Sequence, residues 1–141
     1  MTQVTVQPDA IRGSQGLSAT VDELRTLSVR ALRRMYLPRE RLFVFRHRRA
    51  GTGVAAEGVS RRYTAIALIG LAAEGPDAAA CVFGDEGAGE VIGRLVADID
   101  RVENVGDVAL TLWAALAWKD AAAPRAGDRL AAMRPWDASI P

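Results

Sequence analysis

Cysteine, histidine, lysine, aromatic residues and long apolar runs are all scarce in this chain, and each scarcity removes a class of explanation. Cys81 is the one cysteine and His47 the one histidine among 141 residues. A single thiol closes no internal disulfide, and neither residue has a partner at metal-ligand spacing. Cys81 is therefore read as a small buried hydrophobe. His47 sits among Arg46, Arg48 and Arg49, which repel cations, and a Cys81–His47 nucleophile pair has no support in spacing. No metal and no cofactor are implied. Aromatics make up 6% of a chain that is 50% hydrophobic, so the core must be built from Ala, Leu, Val and Ile, a composition suited to closely packed helices. The longest apolar runs, Thr64 to Ala73 and Val108 to Trp118, fall short of the ~20 residues that span a bilayer and read as buried helices. Residues Met1 to Pro8 have neither a basic start nor an apolar centre, so a cytoplasmic location is expected.

Charge is present in quantity but divided. Residues 1–62 hold 12 Arg against 5 acids, a balance of +7, and residues 63–141 hold 6 basic residues against 12 acids, a balance of −6. Such a division lets the two halves attract each other or makes one face an anion site. The segment from Arg30 to Arg49 raises nucleic acid as a partner, yet it carries no recognised nucleic-acid-binding module.

Read along the chain, residues 1–18 hold Pro8, Gly13 and Gly16 and no periodic apolar pattern, which predicts a flexible leader followed by a single helical domain over 19–141. Thr20-Val21-Asp22-Glu23 matches a capping box, so the first helix is expected to start near Thr20 and to stop at Leu37, before Pro38. Arg41 to Arg48 reads as a strand, and Gly51-Thr52-Gly53 turns it back through Val54 to Gly58 as one small β-hairpin near 41–58. Ser60 caps a helix that Gly75-Pro76 ends, and Gly70 within it suits close approach of a neighbouring helix. Asp85 or Glu86 opens the next helix, with Val91, Ile92, Leu95, Val96 and Ile99 as its apolar stripe. Asn104 caps another that runs to about Trp118. Pro124 to Gly127 is expected to break the chain before a last turn or two over Asp128 to Met133.

Two of these helices look like copies. Ser60 to Leu71 lies without a gap over Asn104 to Ala115, 44 residues on, within the period of stacked helical hairpins. Such hairpins hide their apolar faces only by stacking, so a protein partner or a homo-oligomer that completes the core is expected. The pattern Glu57-Gly58-Val59-Ser60-Arg61-Arg62-Tyr63-Thr64-Ala65-Ile66-Ala67-Leu68-Ile69-Gly70-Leu71, with Asn104-Val105-Gly106-Asp107-Val108-Ala109-Leu110, resembles the N-terminal hairpins of bacterial α/α-toroid proteins. That group holds terpenoid cyclases, prenyltransferase subunits and six-hairpin glycosidases. The resemblance covers residues ~40 to 120. It implies a mainly α fold of stacked antiparallel hairpins, a partial toroid incomplete by itself that binds a carbohydrate- or isoprenoid-like ligand or a partner protein. A complete enzyme of that superfamily and an Arg-rich anion or nucleic-acid binder are the alternatives.

In those toroids the inner helices point the same ends at one mouth of the cavity. The resemblance thus places Arg61, Arg62 and Tyr63 on one rim with Asn104 and Asp107, where backbone N–H groups at helix starts favour a phosphate or sugar hydroxyls. Helix capping and surface charge explain the same residues. No catalytic residue stands out. Asp98-Ile99-Asp100 is similar to an acidic cluster, but Arg101 follows where the terpenoid cyclase motif has another acid, and the two Asp read as solvated. Gly84 to Gly89 lacks the Lys-Ser/Thr of a P-loop. Trp113, Trp118 and Trp136 read as core and interface filler.

Overall fold

The computed structural model describes the backbone of residues 8–133 and the side chains of 16–133. Within that span a helix α1 (Pro8–Met35) leads into a strand β1 (Tyr36–Leu37) and a hairpin of β2 (Leu42–Ala50) and β3 (Gly53–Ser60). Helices α2 (Arg61–Glu74), α3 (Pro76–Phe83), α4 (Gly87–Ala97), α5 (Val105–Ala117) and α6 (Ala123–Ala132) follow. The fold is mainly helical with a small antiparallel sheet in the order β1-β2-β3.

The hairpin lies where the apolar run Leu42 to Phe45 and the Gly51-Thr52-Gly53 turn put it. Ala50 pairs with Gly53 across a two-residue loop, and Gly51 takes φ +58° at its first position, as the tight hairpin turns require. Leu42, Phe43 and Val44 are buried and the rest of β2 is exposed, so the tip of the hairpin projects from the body. The buried end is held by Thr64, whose hydroxyl accepts from the Phe43 amide at 2.9 Å and donates to the Ser60 carbonyl at 2.7 Å. Tyr36, Phe43 and Phe83 cluster around this point with ring centres 5.0–6.0 Å apart, Phe83 edge-on to the other two and Tyr36 tilted on Phe43. Burying the Phe43 ring alone contributes about 1.5–3 kcal/mol. Tyr36 turns its hydroxyl outward to donate to Glu86 at 2.6 Å; burial, and then that carboxylate, raise the phenol above its ordinary pKa. The Tyr36 bond comes first, and Arg41 at 3.3 Å next, in holding Glu86 below the usual carboxylate range against the opposing effect of burial.

α2 and α5 start as their capping residues dictate. The Ser60 hydroxyl accepts from the Tyr63 amide and the Asn104 side-chain oxygen accepts from the Asp107 amide, both at 3.2 Å. The core lies between them and α4, where Leu68, Val91, Ile92, Leu95, Ile99 and Val108 are fully enclosed.

Several expectations need correction. α1 begins at Pro8, not near Thr20, and the Thr20 hydroxyl bonds back to the Gly16 carbonyl at 3.0 Å inside the helix. Helical geometry satisfies the backbone without the capping box. Residues 8–18 of the expected leader thus belong to α1, while 1–7 lie outside the described residues. β1 is an added strand, two residues long, too short to leave an alternating pattern. α3 starts on Pro76 itself, because a proline at the first helical position lacks only an N–H that has no partner there anyway. Pro124 is the second residue of α6, where its missing N–H likewise has no partner within the helix, and α6 covers the stretch expected to break the chain. Cys81 is exposed, since α3 buries Ala79, Val82 and Phe83 and position 81 falls on its other face. A Cβ at Gly70 would meet nothing within 4 Å, so no neighbouring helix approaches there.

Candidate functional site

The rim residues separate into two latches and an outward aromatic pair. Arg62 is half-exposed and reaches from the start of α2 to the start of α5, where its Nε meets Asp107 at 2.7 Å and its Nη2 meets the Asn104 side-chain oxygen at 3.0 Å. That Asn104 oxygen therefore takes two donors, the Asp107 amide and Arg62. Arg61 points the other way, into the end of α4. Its Nη1 meets Asp98 at 2.5 Å, its Nη2 donates to the Leu95 carbonyl, and its buried Nε has no acceptor among the described residues. Burial raises the Asp98 pKa, but the charges and hydrogen bonds of Arg61 and Arg94 prevail and hold it below the usual carboxylate range. Tyr63 belongs to neither latch; its ring stacks on Phe45 with centres 5.5 Å apart and planes 17° apart.

The structure thus brings together Arg62, Asn104 and Asp107, joins Arg61 to Asp98 instead, and sends Tyr63 to the hairpin. Each guanidinium is met by a carboxylate, so the rim is electrically balanced and its first action is to tie elements to one another. Asp98, read from sequence as solvated, is a structural partner. The only signal for it was an acid one helical turn after Arg94, a spacing too common to single out.

The direction of α5 follows from two bonds. Arg62 near the start of α2 meets Asp107 near the start of α5, and farther on the Trp118 indole N–H donates to the Leu68 carbonyl at 2.8 Å. Early positions meet early positions and later meet later, so the two helices share one polarity.

Neither a protein-family model, nor a curated protein, nor a solved structure matches this chain. Its surfaces differ in character. The most distinctive is the outer flank of α5. Trp113 is 59% exposed, Leu116 58% and Val105 48%, at the spacing of one helical face. Trp113 is thus not the core filler expected of it, whereas Trp118 is partly buried and bonded; Trp136 lies outside the described residues. Among the described residues no helix is long and apolar enough to cross a membrane, and no group of three or more His, Cys, Asp or Glu is placed to hold a metal ion.

Proposed function

We propose that the chain is a helical module of α/α-toroid type, incomplete by itself, that docks a helical segment of a partner protein against the outer flank of α5. One contrast between the repeated helices carries this reading. At an offset of 44 residues, Val105, Trp113 and Leu116 on α5 correspond to Arg61, Ile69 and Ala72 on α2. All three α2 positions are partly covered, whereas their α5 counterparts are open. A stack that covers one unit's flank and leaves the next unit's bare lacks its next layer. The latch of Arg62, Asn104 and Asp107 sets α5 in register beside α2, so that the flank is rigid before a partner arrives.

A phosphate or sugar at the rim is the weaker reading, because Arg62, Asn104 and Asp107 already satisfy one another and a ligand would first have to part them. Burying Trp113 or Leu116 under a partner would contribute about 1.5–3 kcal/mol each. A photo-crosslinking residue at Leu116 tests the reading in the cell. We expect a discrete adduct whose attachment points fall on one face of an amphipathic helix in a second protein, lost when Trp113→Glu is added and absent from a crosslinker placed at Arg101. Diffuse labelling that Trp113→Glu leaves unchanged would refute it.

A further inference from the structure

α1 is longer than anything it packs on. Arg25 meets Glu74 near the end of α2 at 3.3 Å, whereas Leu32 and Met35 lie by Ile66 and Tyr63 toward its start. The two helices therefore run antiparallel, and α1 passes the end of α2 at about Arg25. The stretch from Gly16 to Thr20 thus overhangs, and residues 16–28 are exposed throughout. A lone helical stretch of this kind is marginal in water. It nevertheless carries apolar residues at alternating steps of four and three, with Leu17 70% exposed, Val21 42% and Leu24 56%.

Beside it lies a trough. α1 and α2 splay to leave a cavity of about 480 Å³ walled by Val21, Leu24, Leu32, Ile66, Ala67 and Gly70. Open space over Gly70 lets another backbone come close. Leu32, Ile66 and Ala67 also wall a second cavity of about 250 Å³, closed by Met35, Phe45 and Tyr63, so the trough continues along α2.

The sequence of α1 indicates what fills it. Leu17, Val21, Leu24, Ser28, Ala31 and Met35 keep steps of four and three in both directions. Reversal about Thr26 exchanges Leu17 with Met35, Val21 with Ala31 and Leu24 with Ser28, so a large side chain meets a small one at two of the three pairs. Asp22 and Arg30 lie about 140° of helix rotation away from this stripe, on the opposite face with Thr26, and take no part. A surface complementary to its own reverse is what a two-fold interface needs, and such an interface closes at two copies.

We propose that the trough is occupied by α1 of a second copy. The two α1 helices pair antiparallel across a two-fold axis at the level of Thr26, each overhang lies in the other's trough, and Leu17 enters the pocket by Met35, Phe45 and Tyr63. The α5 flank takes no part, so this dimer and the docking of a different protein stand or fall separately.

Sedimentation equilibrium of the full chain from micromolar to near-millimolar concentration tests it. The expected result is a dimer that Leu17→Glu and Leu24→Glu each weaken at least about tenfold, with circular dichroism and melting of the monomer unchanged because both positions are exposed. Arg30→Gln, on the opposite face of α1, leaves the dimer unchanged. A monomer at every concentration would overturn the proposal. So would a dimer indifferent to Leu17→Glu and Leu24→Glu, or one that Arg30→Gln weakens as much as they do.

Discussion

Arg61 and Arg62 are sequence neighbours that hold different parts of the molecule, and the difference follows from the 100° turn between adjacent helical positions. Arg62 lies in water and ties α5 to α2, an arrangement that contributes modestly for an exposed pair. Arg61 is four-fifths buried, and its ionic partner Asp98 neutralises a charge that would otherwise sit uncompensated against α4. The lowered Asp98 pKa makes this contribution depend on pH. Its stabilisation is fully present above the unfolded carboxyl value, about 3.9, and is lost as pH falls through the lower folded value. Melting temperatures of the native chain and Asp98→Asn should therefore differ by a steady amount from neutral pH down to about pH 5 and converge below about pH 4. A difference that stays constant into acid would show that the latch does not depend on the Asp98 charge.

At the scale of elements, the two caps are alike in geometry and unlike in load. Ser60 holds one amide, while the Asn104 oxygen holds an amide and Arg62. Loss of a cap costs about 0.5–2 kcal/mol, so Ser60→Ala should fall in that range. Asn104→Ala should cost more, and in an Arg62→Ala background the excess should vanish, as denaturant unfolding would read. These caps were legible from sequence because Ser and Asn before an apolar run have a specific physical use. The hairpin was legible for a similar reason, through Gly51 and the strand residues Leu42 to Phe45. The remaining features depend on tertiary context or on signals with two meanings. Pro76 and Pro124 carry two meanings in a sequence, the end of one helix or the first turn of the next. Residues 8–16 of α1 hold Pro8, Gly13 and Gly16 and no apolar periodicity, so nothing in them marks a helix. Of the candidate rim, the meeting of Arg62 with Asn104 and Asp107 followed from aligning the two helices, but the turn of Arg61 to Asp98 and of Tyr63 to Phe45 depended on how α4 and the hairpin pack.

Across the whole molecule, the division of charge between halves has a structural outcome. Arg25–Glu74, Arg41–Glu86, Arg41–Glu90, Arg61–Asp98 and Arg62–Asp107 each join a base from residues 1–62 to an acid from residues 63–141. The basic half is thus drawn onto the acidic half, and α2, which begins at the charge boundary, becomes the element that the others surround. α5 lies beside it with the same polarity and a bare outer face, the feature from which the docking role is argued. Spin labels measure that polarity directly. In a Cys81→Ser background, pulsed electron resonance would compare Tyr63→Cys paired with Val105→Cys against Tyr63→Cys paired with Leu116→Cys. The account predicts the shorter separation for the pair at 63 and 105, where both helices start. A shorter separation for 63 and 116 would mean that α5 runs the opposite way, contradicting both the shared rim and the open flank.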